Sequence, residues 1–325
     1  MRSEPSPAGP VPPSFRIIVA IGGNATHPEN IRGTTEEQEK VAASAARALL
    51  PLLRGANQLI ITHGNGPVVG KILLRQFHSR DQIPPMRLDV CVAHSQGGIG
   101  YLLMQALQNE IARAKLDRDV TCLVTQVEVD PDDPAFRNPS KPIGPFFTEE
   151  ESKSLAALGW NMMEDAGRGW RLAVPSPKPK RIVNLDMIRA VAGMGAVVIA
   201  GGGGGIPVLR RRTGTHGGVQ AVIDKDLTSA LLANTLGVEC LMVLTAVPRV
   251  AVHFGKPEQR WLDTVTVSDL RRYAKEGHFA KGSMAPKIDA VIRFVEGGGR
   301  RAIIGHLEQI QSALDGTTGT HVVPG

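Results

Sequence analysis

A chain of 325 residues with 42% hydrophobic and 21% charged side chains has the composition of a folded globular protein, which excludes intrinsic disorder. Aromatic residues reach only 4%, too few rings to stack nucleobases along a strand. The formal charge of +6 is spread, with Arg210-Arg211-Arg212 the one cationic run. That excess is either a solvated basic surface or a cleft that attracts anions. Cys91, Cys122 and Cys240 sit far apart inside apolar runs and offer neither metal-ligand spacing nor a disulfide framework, which predicts a reducing compartment. Residues 1–15, rich in Pro, Ser and Ala, read as a flexible tail without a secretory core, and no segment reaches the ~18 uninterrupted apolar residues of a membrane helix. The expectation is a soluble, cytoplasmic protein with no nucleic-acid or membrane partner.

Short β-branched runs at 16–21, 58–62, 122–127, 196–200, 241–245 and 302–304 are apolar on both faces, as buried parallel strands are. Helical patterns lie between them at 35–54, 89–115, 185–194, 227–236, 267–275 and 287–295. Strand alternating with helix predicts a three-layer α/β/α sandwich around a mainly parallel open sheet, occupying 16–325. One stretch breaks the alternation. From Asp130 to Pro179 the prolines are too many for a central strand or a long helix, and ~50 residues is long for a plain loop. It reads as a protruding subdomain inserted at about 132–180, expected to be removable without unfolding the rest.

Three strands run into glycine-rich turns: Ile21-Gly-Gly-Asn24, His63-Gly-Asn-Gly66 and Gly201 to Gly205. Strand ends at a topological switch point form the ligand crevice of such sheets, where glycines let backbone N–H groups approach an anion. Tight strand-to-helix packing would explain any one of the three equally well. The stretch His63 to Lys71 imitates a Walker A loop, but Asn65 replaces its first glycine and Ile72 its magnesium-binding hydroxyl. Gly64, Gly66 and Gly70 also miss the dinucleotide-binding spacing by one.

Two lysines occupy first helical turns, where the helix dipole disfavours a cation: Lys225 in Asp224-Lys-Asp226 and Lys287 after Pro286. They are either solvated surface lysines or partners of a bound polyphosphate. In the second case Asp226 would orient them, and removing either lysine would leave the stability of the empty protein nearly unchanged. Lys141 adds a cation inside the insert with no acidic neighbour in sequence. Such a set suits phosphoryl transfer, which depends on positioning and charge stabilisation. The glycines of Ser95-Gln-Gly-Gly-Ile-Gly100 predict close packing of their helix on the sheet or on a symmetry mate.

Several motifs together resemble carbamate kinase, a branch of the amino-acid kinase superfamily. They include Ile21-Gly-Gly-Asn-Ala25, Thr62-His-Gly-Asn-Gly-Pro67, Asn138-Pro-Ser-Lys-Pro-Ile-Gly-Pro145, Ser176-Pro-Lys-Pro179, Ala221-Val-Ile-Asp-Lys-Asp226 and Phe254-Gly-Lys-Pro257. The resemblance, from about residue 16 to the end, implies reversible transfer between ATP and carbamate, giving ADP and carbamoyl phosphate. It implies Mg2+ held mainly by the nucleotide phosphates, and a homodimer. By position it assigns Gly22, Gly23, Asn24, Gly64 and Asn65 to carbamate and the moving phosphoryl group. Lys141, Lys225, Asp226 and Lys287 become the catalytic set, with Lys225 and Lys287 holding the nucleotide phosphates and Asp226 orienting them in the nucleotide site, and Thr245, Ala246, Ser283 and Met284 fall to the adenine side. Ala20 stands where several acyl-phosphate-forming relatives carry a lysine, which leaves Lys141 to supply the missing charge. Val68, His94 and Pro248-Arg249 depart from the usual pattern. A relative acting on a larger carboxylate, or a nucleotide-binding regulator without turnover, are the competing readings.

Overall fold

The computed structural model describes residues 15–23, 26–28, 31–165, 167–280 and 282–325. An eight-stranded sheet runs in the order Thr264–Thr266, Thr320–Val323, Arg301–His306, Cys240–Thr245, Phe15–Ile21, Ala56–His63, Val197–Ala200, Val120–Leu123. All its pairings are parallel except that of Arg301–His306 with Thr320–Val323. The alternation of a strand assigns its side chains to two cores. Ile18, Ala20, Ile60, Val198, Leu241 and Val243 face one buried cluster with Ile188, Leu232, Ala233, Ile288 and Val291. Ile17, Val19, Ile21, Leu59, Ile61, Met242 and Leu244 face the other with Ala45, Leu52, Leu103 and Leu107. Two helical layers therefore cover the sheet, as expected from strands apolar on both faces.

Several expectations need correction. The run 122–127 is not one strand: Val120–Leu123 ends the large sheet at its edge, and Gln126–Val129 belongs to a separate four-stranded sheet. Thr125 marks the break, its N–H donating to Gln96 Oε1 (2.9 Å) and its Oγ1 accepting from Gly201 N–H (2.9 Å). The helix expected over 35–54 is interrupted, Thr35–Ala48 being followed by Leu50–Gly55 with Pro51 in its first turn. Helix Met284–Glu296 begins before Pro286, which still lies in the first turn, where no intrahelical N–H is missed. Helix Gly66–Ser79, behind the second glycine turn, escaped notice.

The proline-rich stretch does contain a central strand. Trp170–Val174, free of proline, lies between Lys141–Phe147 and Met162–Glu164, while Pro142 and Pro145 stay on an edge strand. Ile143, Leu172 and Val174 share a buried cluster with Val69, Leu88, Cys91 and Val92 from the helices Gly66–Ser79 and Leu88–Arg113. Cutting the insert out would open that cluster, a cost that the expected removable appendage did not include. The closest approach is backbone to backbone: a Cβ on Gly70 would stand 2.0 Å from Gly144 Cα. Gly70→Ala is therefore expected to lower the unfolding free energy by about 1–3 kcal/mol or more, measured by urea titration, because backbone rather than a pliable side chain blocks the methyl. A change within about 0.5 kcal/mol would show that the insert yields without cost.

Candidate active site

At the carboxyl ends of the central strands the glycine turns meet. Gly64 N–H donates to Ile21 O (3.0 Å), and a Cβ on Gly64 would crowd Gly23 N at 2.8 Å, so the first two turns touch through backbone. A Cβ on Gly22 would meet Leu244 O at 3.3 Å, which sets the first turn against the strand leading to Thr245. In the third turn Gly201, Gly203, Gly204 and Gly205 all have positive φ, a conformation that excludes most side chains. Gln96 pins it, donating from Nε2 to Gly202 O (2.8 Å) and Thr125 O (3.2 Å). Asn65 does not cap its own helix; its Nδ2 donates to Ser95 Oγ (2.8 Å). The first-turn N–H groups of Gly66–Ser79 thus receive no side-chain cap from Asn65. Asn24 lies outside the described residues.

Helix Lys225–Leu236 starts beside the third turn, with Thr228 Oγ1 donating to Gly204 O (2.7 Å) and Ser229 sharing a hydrogen bond with Thr62 (2.6 Å). Asp224 is its N-cap, accepting from the N–H groups of Asp226 (2.9 Å) and Leu227 (3.4 Å). The four charged residues proposed from sequence come together here in two ion-paired groups. Lys225 and Lys287 both bind Asp226, Lys225 through Oδ1 and Lys287 through Oδ2 at 2.9 Å, while Lys141 reaches Asp224 Oδ2 at 2.8 Å. Lys225 is 7% exposed and Asp226 3%. Burial alone would push the Asp226 carboxyl up, but the two ammonium groups overcome it and hold it well below the usual carboxylate range. Burial dominates at Lys225 and lowers its amine. At Lys287, burial pulls the amine down and Asp226 more than restores it, leaving it above the ordinary value.

Lys141, with no acidic neighbour in sequence, has an acidic partner 83 residues away, and the two lysines at the helix starts share the one carboxylate of Asp226, which offsets half of their charge. Removing either would strand part of a buried carboxylate, which argues for a loss of stability rather than none. Thr245 ends the strand Cys240–Thr245 with Ala246 exposed beyond it; Ser283 and Met284 open the helix that carries Lys287. Among the departures, Arg249 ties its turn down by donating to Thr317 O (3.0 Å).

Sequence reasoning missed Asp224 as the holder of Lys141, although it stands one residue from Lys225. It also missed His63. This imidazole is completely buried; a carbonyl only accepts, so Nδ1 carries the proton donated to Gly64 O (3.1 Å), while Nε2 has no partner among the described residues. Burial, with Lys225 nearby, lowers its pKa to about 4.

Residues 15–306 match the amino acid kinase family. The chain belongs to that family and is a phosphotransferase. It is similar along its whole length to the carbamate kinases: that of Thermococcus kodakarensis is 49% identical over 312 residues, covering 95% of this chain and 99% of the relative. Carbamate kinase from Giardia lamblia bound to citric acid superposes with a TM-score of 0.92 at 39% identity, covering 96% of this chain and 99% of that one. The same protein bound to AMP-PNP gives 0.88 at 40%, with the same coverage.

Two expectations follow. Lys287→Ala should lower the unfolding free energy by on the order of 2 kcal/mol and weaken ADP binding, read by urea titration and calorimetry, since Asp226 keeps only one lysine. Unaltered stability with unaltered ADP affinity would contradict the pairing. His63 makes stability pH-dependent: between about 6.5 and about 4 the unfolded chain takes up a proton that the buried ring refuses, so stability falls as pH falls. The loss across that window is on the order of 3 kcal/mol, and His63→Gln should remove that share of the slope; an identical slope in the variant would refute it.

Proposed function

We propose that the chain catalyses ATP + carbamate ⇌ ADP + carbamoyl phosphate. The observation that carries this reading is the convergence of Lys141, Lys225 and Lys287 on Asp224 and Asp226 beside three glycine turns. It is supported by full-length similarity to carbamate kinases and by the nucleotide analogue held by one structural neighbour. In this reading Gly22, Gly23, Asn24, Gly64 and Asn65 receive carbamate and the transferring phosphoryl group on backbone N–H groups. Lys225 and Lys287 turn from Asp226 to the nucleotide phosphates, and Asp226 limits where they go. Thr245, Ala246, Ser283 and Met284 bound the adenine side.

Lys141 leaves Asp224 for the moving phosphoryl group. Donor and acceptor are both anionic and would repel across the crevice without a cation between them, and Ala20 leaves that duty to the insert. Mg2+ fits as a nucleotide-borne ion. Asp224 and Asp226 are engaged by lysines, and among the described residues no group of three or more metal-ligating side chains forms a cage. When bound, it would neutralise phosphate charge.

The same reading includes a cytoplasmic location, a run toward ATP during breakdown of arginine or other nitrogen compounds, and a twofold homodimer. For the dimer, helix Leu88–Arg113 offers a face on which Gly97 and Gly98 meet nothing within 4 Å and Tyr101 is 54% exposed, whereas Gly100 is pressed against Cys122 of the sheet. Among the described residues no helix is long and apolar enough to cross a membrane.

A coupled assay of ATP formation from ADP and carbamoyl phosphate should show turnover, and a panel of larger carboxylates as acceptors should not. Lys141→Ala is expected to lower kcat by on the order of 10²–10³ with much less change in ADP affinity. Retention of more than about a tenth of the wild-type kcat would remove Lys141 from the mechanism.

A further inference from the structure

The reaction proposed above leaves the imidazole of His63 idle, yet it stands at 0% exposure where the second and third glycine turns meet. A Cβ on Gly202 would collide with its Nε2, so the third turn closes directly over the ring. Gln96 holds that turn down by donating to Gly202 O (2.8 Å). Burying an acceptor such as Nε2 with no donor among the described residues costs about 1–3 kcal/mol, a cost that an aliphatic side chain of similar size would avoid. Local stability therefore favours another residue here, and such conflicts accompany function.

The hydrogen bond that the ring does make supplies the reason. Nδ1–H donates to the carbonyl of the next residue, Gly64 O, at 3.1 Å. Thr26 Oγ1 directs its one proton to Gly23 O (2.9 Å) and stands 3.4 Å from Gly64 O, so the imidazole is the chief donor to that carbonyl. In a planar trans peptide the N–H points opposite to the C=O, and fixing Gly64 O therefore fixes the direction of the Asn65 N–H. Without such a pin the peptide would be loose, since glycines stand at 64 and 66. The other groups of Asn65 are engaged: its carbonyl accepts from Val69 N–H (2.8 Å) and its Nδ2 donates to Ser95 Oγ (2.8 Å). Among the described residues nothing accepts from its N–H. We propose that His63 is a positioning residue, which through the Gly64 carbonyl holds the Asn65 N–H toward the phosphoryl group that moves between nucleotide and acceptor. This rests on the reaction proposed above and adds that an imidazole, rather than the glycine turn itself, sets the aim of that donor.

Asparagine and glutamine separate this role from mere packing, because the asparagine amide falls at the place of Nδ1 and the glutamine amide at that of Nε2. In the ATP-forming assay His63→Gln should lower kcat/KM for carbamoyl phosphate by about 10–100-fold while KM for ADP changes less than about threefold. His63→Asn, which keeps a donor for Gly64 O, should recover most of that loss and come within about fivefold of wild type. His63→Leu lacks any donor and should match His63→Gln, and it serves if the glutamine variant fails to fold. A kcat/KM for carbamoyl phosphate within about threefold of wild type in the glutamine or leucine variant would overturn the proposal and leave the reaction standing. So would an asparagine variant no better than the leucine one, or a parallel loss of ADP affinity, since either would mark the ring as merely structural. A wild-type chain that makes no ATP from carbamoyl phosphate would overturn both.

Discussion

A carboxylate at 3% exposure stays ionised only if cations face it, and at Asp226 two do, from helices far apart in sequence. Much of the site's architecture follows from that one group. Lys225 sits one residue away at the start of helix Lys225–Leu236, and Lys287 comes from helix Met284–Glu296, so the carboxylate fastens two helices of one layer to each other at their N-terminal ends. Both N-termini therefore open toward the same side of the sheet as the glycine turns. The dipoles, the ammonium groups and the bare backbone donors add up in one place.

The second group repeats the device at the insert. Asp224 caps helix Lys225–Leu236 with one oxygen and holds Lys141 with the other, so one side chain registers the inserted sheet against the start of that helix. The backbone contact of Gly70 with Gly144 and the buried cluster around Ile143 fix the same sheet against helix Gly66–Ser79. Held at both ends, the insert can present a lysine with little freedom of position. Catalysis by charge stabilisation depends on such preorganisation, because a cation that must find its place at the moment of transfer loses much of its effect.

How legible this was depends on the range of each interaction. The β-branched runs around Ile18, Ile60 and Leu241 announce buried parallel strands because burial on both faces writes itself into consecutive residues. The glycine turns and the lysines at helix starts are legible for the same local reason, since each violates a preference of its own segment. What stayed hidden is pairing across distance. Lys141 looks unpartnered because Asp224 is 83 residues away, and His63 looks like part of a glycine motif because its burial depends on the third turn folding over it. The break at Thr125 was equally invisible: Cys122 to Val127 reads as one β-branched run, and Gln96 and Gly201, both distant in sequence, hold Thr125 where it changes sheets.

Pre-formed ion pairs also set what binding can gain. Three lysines against two aspartates leave the empty site with one net positive charge instead of three, so the lysines cost less to bury and the protein folds without its ligand. In the proposed reaction a nucleotide would take Lys225 and Lys287 from Asp226 rather than meet bare cations. Its net gain is the difference between two sets of charge-assisted contacts, smaller than either alone. For an enzyme that runs a reaction in both directions this is an advantage: products that met three unpaired lysines would leave slowly. With the roles proposed for Lys141, Lys225 and Lys287, a transition state carrying charge on both the entering and leaving oxygens would recruit all three lysines at once, which ground-state nucleotide and acceptor bound separately would not. The aspartates thus weaken ground-state binding more than they weaken the transition state, and the charge pairs that seem to quench the site are what lets it discriminate between the two.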